Sequence, residues 1–228
     1  MMSFYSAVGS YQIRREEGIK MPFIQKLGKL YPLSIPEFCI WSTLLWEVMT
    51  HDELEAEYSA QMNSAGMKAP KLDDMLALLL KRRLIITGMG YTGSDALYNM
   101  LSDAFVIPFR LSKGRQILSI LRCWAKNLIR LPDAFHKLRV NSSMNEDEAR
   151  VVALVEQTPL STAELVCCFE KGITDVSTSE KVIAGIYPDD DSDQTHISNE
   201  EFSSAMRLSV LRAVSNLYLR HQIILEVP

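Results

Sequence analysis

Three apolar stretches at helical spacing follow one another between Pro36 and Leu80, and the last runs straight into the β-branched run Leu84-Ile-Ile-Thr87. The first, Pro36–Met49, puts Phe38, Ile40, Trp41, Leu44, Leu45 and Val48 on one broad face, with Pro36 where a helix tolerates proline best. Thr50 with Glu53 and Leu54 is a capping-box pattern that predicts a second helix to about Asn63, and Ser64, Ala65 and Gly66 break it. A third helix is predicted from near Pro70 through KLDDMLALLLKRR, ending directly in the strand Leu84–Thr87. Residues 1–33 lack such periodicity and are rich in turn formers, so they predict an N-terminal arm with one short helix near Ile24–Leu30. The arm's basic residues, Arg14, Arg15, Lys20, Lys26 and Lys29, read as a solvated surface ahead of a partner contact.

The second half repeats this grammar. Glu148–Glu156 predicts a helix whose Val151, Val152 and Val155 stand where the first half has Ile40, Trp41 and Leu44, an offset of 111. Ser161 with Glu164 and Leu165 is a second capping box at the same offset. The closing helix and strand, Val214–Glu226, align with Met75–Thr87 at an offset of 139, which places an acidic insertion near Gly172–Ile197. Two segments alike in type and order argue for a duplicated unit.

Helix, helix, turn, helix and then a strand is the order of a winged helix-turn-helix unit, and the chain resembles that superfamily at Pro36–Thr87 and again at Asn145–Glu226. The resemblance implies a mainly α fold with short β-strands, as tandem winged-helix-like units. The expected division is an arm over 1–33, a first unit over 34–110, a connecting helix over 111–139 and a second unit over 140–228. The second unit departs from the pattern, because no returning strand follows its third helix to complete a wing.

The connecting stretch, Arg110–Arg139, is strongly amphipathic. Arg115, Arg122, Lys126 and Arg130 fall within about an 80° arc of a helix, opposite Ile117, Ile120, Leu121, Trp124, Leu128 and Leu131. Eight Lys and Arg against the single acid Asp133 make the segment +7 in a chain whose net charge is −4. The apolar side predicts burial between the two units, with the basic stripe turned outward.

Composition narrows the classes of function. An apolar fraction of 47% and a charged fraction of 23% are those of an ordinary globular chain. The longest apolar cluster, Met75–Leu80, is far too short to span a bilayer, and no signal-peptide pattern opens the sequence. Cys39, Cys123, Cys167 and Cys168 show no paired-ligand spacing, which fits buried thiols in a reducing compartment, and the expected location is cytoplasmic.

Gly88-Met-Gly90-Tyr-Thr-Gly93 matches the dinucleotide-binding GxGxxG formally. However, no acid closes the next apolar run, Phe105–Phe109, and a wing or turn in which the glycines supply positive φ is the better account. Asp189–Glu200 carries oxygen ligands at calcium-loop spacing, yet Gln194 replaces the turn glycine, which favours a solvated acidic loop. His51, His136, His196 and His221 lack metal-ligand spacing, and no hydrolase, P-loop or zincin motif occurs. No catalytic residue, cofactor or metal is therefore expected.

Two functions follow from the resemblance and the charge. One is a DNA-binding transcriptional regulator that holds double-stranded DNA phosphates with Lys68, Lys71, Lys81 and Arg82 of the first unit and Lys113, Arg115, Arg122, Lys126 and Arg130 of the connecting helix. The alternative to that first reading is a protein–protein interaction or assembly adaptor, including self-association, favoured by a sequence pI near 5.6, by acids at both third-helix starts and by the incomplete second wing. A membrane-surface role for the basic helix is weaker, since Trp124 and its neighbours read as core.

Overall fold

The computed structural model describes residues 1–16, 19–109, 144–187 and 200–228. The basic stretch 110–139 and most of the acidic loop 189–200 lie outside the described residues. The chain is about 50% helical with 23% strand, so small antiparallel sheets contribute more than a mainly α expectation allows. The first half contains β1 (Met2–Ala7), β2 (Ser10–Glu16), β3 (Ile19–Lys26), β4 (Lys29–Pro32), α1 (Ile35–Leu44), β5 (Met49–Thr50), α2 (His51–Ser64), α3 (Leu72–Lys81), β6 (Ile85–Gly90) and α4 (Gly93–Leu101). The second contains β7 (Phe105–Pro108), α5 (Glu146–Val155), β8 (Leu160–Ser161), α6 (Thr162–Glu170), α7 (Ser179–Ile186), α8 (Glu200–Leu219) and β9 (Ile223–Glu226).

The offset of 111 holds to the residue. It carries α1 onto α5, β5 onto β8 and the start of α2 onto the start of α6. The closing elements shift by 138, not 139, because the helix ends set the alignment. Arg83 N–H donates to Leu80 O and Leu84 N–H to Leu79 O, and His221 and Gln222 make the same pair of bonds to Tyr218 and Leu217. Each is a Schellman-type ending around a left-handed residue, Arg83 (φ 52°) or His221 (φ 59°).

Residues 1–33 are not a separate arm, and no helix forms at Ile24–Leu30. β1 is the central strand of a three-stranded sheet in the order β5-β1-β6, and β2-β3-β4 form a second sheet around the turn Leu27-Gly28. Both turn residues have positive φ, as a tight hairpin loop requires, and Glu226 Oε2 accepts the Leu27 N–H at 3.1 Å. The same device completes the second unit, whose sheet runs β8-β7-β9. The missing returning strand is supplied from upstream by β7, which lies on the near side of the boundary expected at 110. The registers coincide: Phe4 pairs with Thr50 and Gly88, and Phe105 with Ser161 and Glu226.

Capping explains the helix starts. Ser34, Thr50, Asn145 and Ser161 each close a box with Glu37, Glu53, Glu148 or Glu164. α1 stops at Leu44, short of the predicted Met49, because Trp46 turns left-handed (φ 61°). There its indole N–H reaches Ile223 O at 3.2 Å and its ring stacks on His221 at 4.3 Å. The glycines of Gly88-Met-Gly90 have no positive φ, contrary to the turn expected of them. They lie in β6 against α4, where a Cβ on Gly88 would stand 2.3 Å from Ala96 O and Met100 N. Their role is close approach of a helix to a strand.

The two halves meet at Tyr218. Its hydroxyl oxygen accepts the Trp46 N–H at 3.0 Å and lies 3.0 Å from Ser6 Oγ, 3.2 Å from Ala7 O and 3.3 Å from Leu44 O. Burial pushes its pKa up to about 12. Alongside, Val8 N–H bonds Leu84 O while Gly9 N–H bonds Leu225 O, so two consecutive residues tie β1 to both units.

Replacing Tyr218 by Phe strands the Trp46 N–H and should lower unfolding stability by about 1–3 kcal/mol, read from urea midpoints. Gly88→Ala forces α4 off β6 and should cost about 1–3 kcal/mol by overpacking. The parallel change at exposed Gly66, where a Cβ meets nothing within 4 Å, involves no such clash and carries only its φ strain (φ 64°).

Candidate functional site

The described basic residues expected to contact nucleic acid do not converge. Lys68 and Lys71 are exposed before α3 and at its N-cap, whereas Lys81 is exposed in its last turn, about 15 Å away along the axis. Arg82 is engaged internally. Its Nη1 pairs with Glu37 Oε1 at 2.7 Å and its Nη2 donates to Pro32 O at 2.6 Å. Lys113, Arg115, Arg122, Lys126 and Arg130 lie outside the described residues.

The Arg82 pair is a repeated structural feature. Shifted by 111 and 138, Glu37 and Arg82 become Glu148 and Arg220, which pair through Oε2 and Nη1 at 2.9 Å. In both units the capping-box glutamate of the first helix holds the arginine that ends the third. Burial acts to raise the Glu37 pKa, but the Ser34 N–H and hydroxyl with the Arg82 guanidinium outweigh it and hold the carboxyl below its usual range.

The exposed side of α3 carries Asp73, Asp74, Ala77, Leu78 and Lys81, with Leu78 46% exposed. At its N-terminus His51 Nε2 sits 2.9 Å from Asp73 Oδ1, and that hydrogen bond raises the histidine pKa. Along α8, the Arg207 guanidinium stacks 4.2 Å from the centre of the Tyr98 ring and Arg220 is paired, while Arg212 is exposed. Neither third helix presents a row of open cations.

A cleft of about 820 Å³ opens between the two units, which sequence reasoning did not find. Ile85, Ile86 and Met100 line one side, and Phe105, Ile186 and Val227 the other. Its polar groups are mostly neutral, with two acids, Asp103 and Glu164, and one cation, Arg83. Glu164 accepts the Ser161 N–H at 2.6 Å and the Tyr187 hydroxyl at 2.9 Å, and Asp103 stands exposed nearby. Arg83, also in the wall, donates to Pro228 O at 2.5 Å. Cys167 points its sulfur at Ile186 O, 3.8 Å away, and burial pushes the neighbouring Cys168 thiol up to about 11. Apolar walls with a few convergent polar groups equip the cleft to bind. Among the described residues, no group of three or more His, Cys, Asp or Glu could hold a metal ion, and no helix is long and apolar enough to cross a membrane.

Comparison with protein-family models, curated proteins and solved structures gives no match.

Arg82→Gln should remove about 1–3 kcal/mol of stability at neutral pH, the scale of a hydrogen bond to a charged group. The Glu37 carboxyl has a lowered pKa in the folded state, so its contribution is present above about 4.5 and lost as pH falls below that value. The variant should therefore lose part of the acid-side decline in a urea series between pH 7 and pH 3.

Proposed function

We propose that this chain is a non-enzymatic interaction or assembly adaptor built from two winged-helix-like units, each using a strand upstream of its first helix to complete its sheet. The observation that carries the reading is the exposed side of α3, the position a recognition helix would take in the resemblance. It offers Asp73, Asp74, Ala77 and Leu78 to a partner, with Lys71 and Lys81 exposed at its two ends, and its nearest arginine is held by Glu37. Acids there stabilise the helix start through its dipole and repel a phosphate backbone. Glu148 engages Arg220 in the same way, which supports one scaffold used twice for surfaces other than a DNA groove.

The nucleic-acid reading rests on the +7 segment Arg110–Arg139. Titrating the chain with a labelled duplex at about 50 mM salt, where phosphate contacts are strong, separates the two readings. The adaptor predicts no saturable binding. Salt-dependent binding that is abolished by glutamate at Arg115, Arg122, Lys126 and Arg130 would overturn it in favour of a regulator.

A further inference from the structure

Among the described residues, β2 is the outermost strand of its sheet and pairs with β3 alone, in seven uninterrupted steps from Ser10↔Gln25 to Glu16↔Ile19. The opposite edge of that sheet is blunted. β4 has four residues, ends in Pro32 and is capped by Arg82 Nη2 on Pro32 O. β2 has no proline and no bulge to close its edge to other strands, and what guards it is charge, in Arg14, Arg15 and Glu16.

The ladder shows which of its backbone groups are open. Leu33 N–H donates to Pro22 O, so the carbonyl of Pro22 faces the β4 side. Pro22 is opposite Ile13, which makes this a non-hydrogen-bonded pair of the β2–β3 ladder. The N–H and C=O of Ile13 therefore point out to the free edge, as do those of Tyr11 and Arg15 two residues to either side. Three donors and three acceptors in a row have no partner among the described residues and face an added strand.

The side chains beside that edge have a distinct chemistry. Tyr11 is 48% and Ile13 63% exposed, and the two share one face. Tyr11 packs edge-on against Phe38 of α1 at 6.2 Å, and Ile35, at the start of α1, is 57% exposed. Arg14 and Arg15 are exposed, with no ion pair among the described residues; Arg14 donates only to Gln12 Oε1 at 3.3 Å.

We propose that β2 is a docking edge for an extended acidic peptide segment of a protein partner, added as an antiparallel strand. This rests on the adaptor reading and gives it a partner chemistry. Opposite Arg15, Arg14, Ile13, Gln12 and Tyr11 in turn, the incoming strand would carry two acids, an apolar residue, any residue and a second apolar residue. The acids neutralise the adjacent arginines, and one apolar side chain packs over Ile13 and the other over the Tyr11–Phe38 pair. The two adjacent arginines complement an acidic strand, whereas an antiparallel copy of β2 centred between them would set arginine against arginine.

The test is fluorescence anisotropy with the full chain and a labelled probe containing Glu-Glu-Val-Thr-Ile. Saturable binding is expected. Arg14→Glu with Arg15→Glu should weaken it about tenfold or more while leaving the urea midpoint unchanged, and a Lys-Lys-Val-Thr-Ile probe should then prefer the double variant. A Glu-Glu-Pro-Thr-Pro probe, which lacks the N–H groups that would face Ile13 and Tyr11, should not bind. Three results would overturn the proposal: no saturable binding, equal affinity for wild type and double variant, or a wild-type dimer in light scattering that the double substitution dissolves. Duplex binding tests the adaptor reading separately, so a silent edge with no DNA affinity sinks the docking edge and leaves the adaptor standing.

Discussion

The hydroxyl of Tyr218 is the contact on which the arrangement of the two halves depends. It stands at the end of α8, in the second unit, yet its partners are Trp46, Ser6, Ala7 and Leu44 of the first. A buried polar atom is tolerated only with its hydrogen bonds made, so the position of this one atom constrains the end of α1 and the end of β1 together. Trp46 takes a left-handed backbone to reach it, and that strain is held by the Tyr218 bond, by the indole bond to Ile223 O and by the stack on His221. The result joins two cores through polar groups whose geometry admits little rotation.

Each unit is held by its own version of one clasp. A capping-box glutamate at the first helix pairs with the arginine that closes the third, as Glu37 with Arg82 and Glu148 with Arg220. The duplication was legible as the 111-residue spacing of capping boxes, because capping is local and needs only four residues. The closing offset reads as 139 in sequence and is 138 in the structure, since MLALLLKRRLIIT and VSNLYLRHQIILE set apolar residues against apolar ones in either register. The hydrogen bonds that end each helix distinguish the two. Residues 1–33 read as an arm for a different reason. The strand partners of β1 lie more than 40 residues away, and Pro22, Gly28 and the Arg14-Arg15 pair resemble turn and surface signals. Arg82 illustrates the limit on the candidate site: its charge is visible in sequence, whereas Glu37, 45 residues earlier, is not visible as its partner.

Surfaces left after these contacts are counted differ from the ones charge alone would nominate. α3 turns two acids, a leucine and Lys81 outward, while Arg207 of α8 and Arg220 just after it turn onto Tyr98 and Glu148. The open features are an apolar cleft with acidic groups between the units and a long strand edge with aromatic, aliphatic and basic side chains. Both are shapes that accept peptide or side-chain partners.

The central claim is that the two units form one cooperative body through the Tyr218 joint. Native-state hydrogen exchange along a denaturant series measures this most directly, by comparing the opening free energy of amides in α2 and α3 with that of amides in α6 and α8. A single body predicts one shared value with one denaturant dependence. Exchange of α6 and α8 through a separate, lower-energy opening while α2 and α3 stay protected would contradict it.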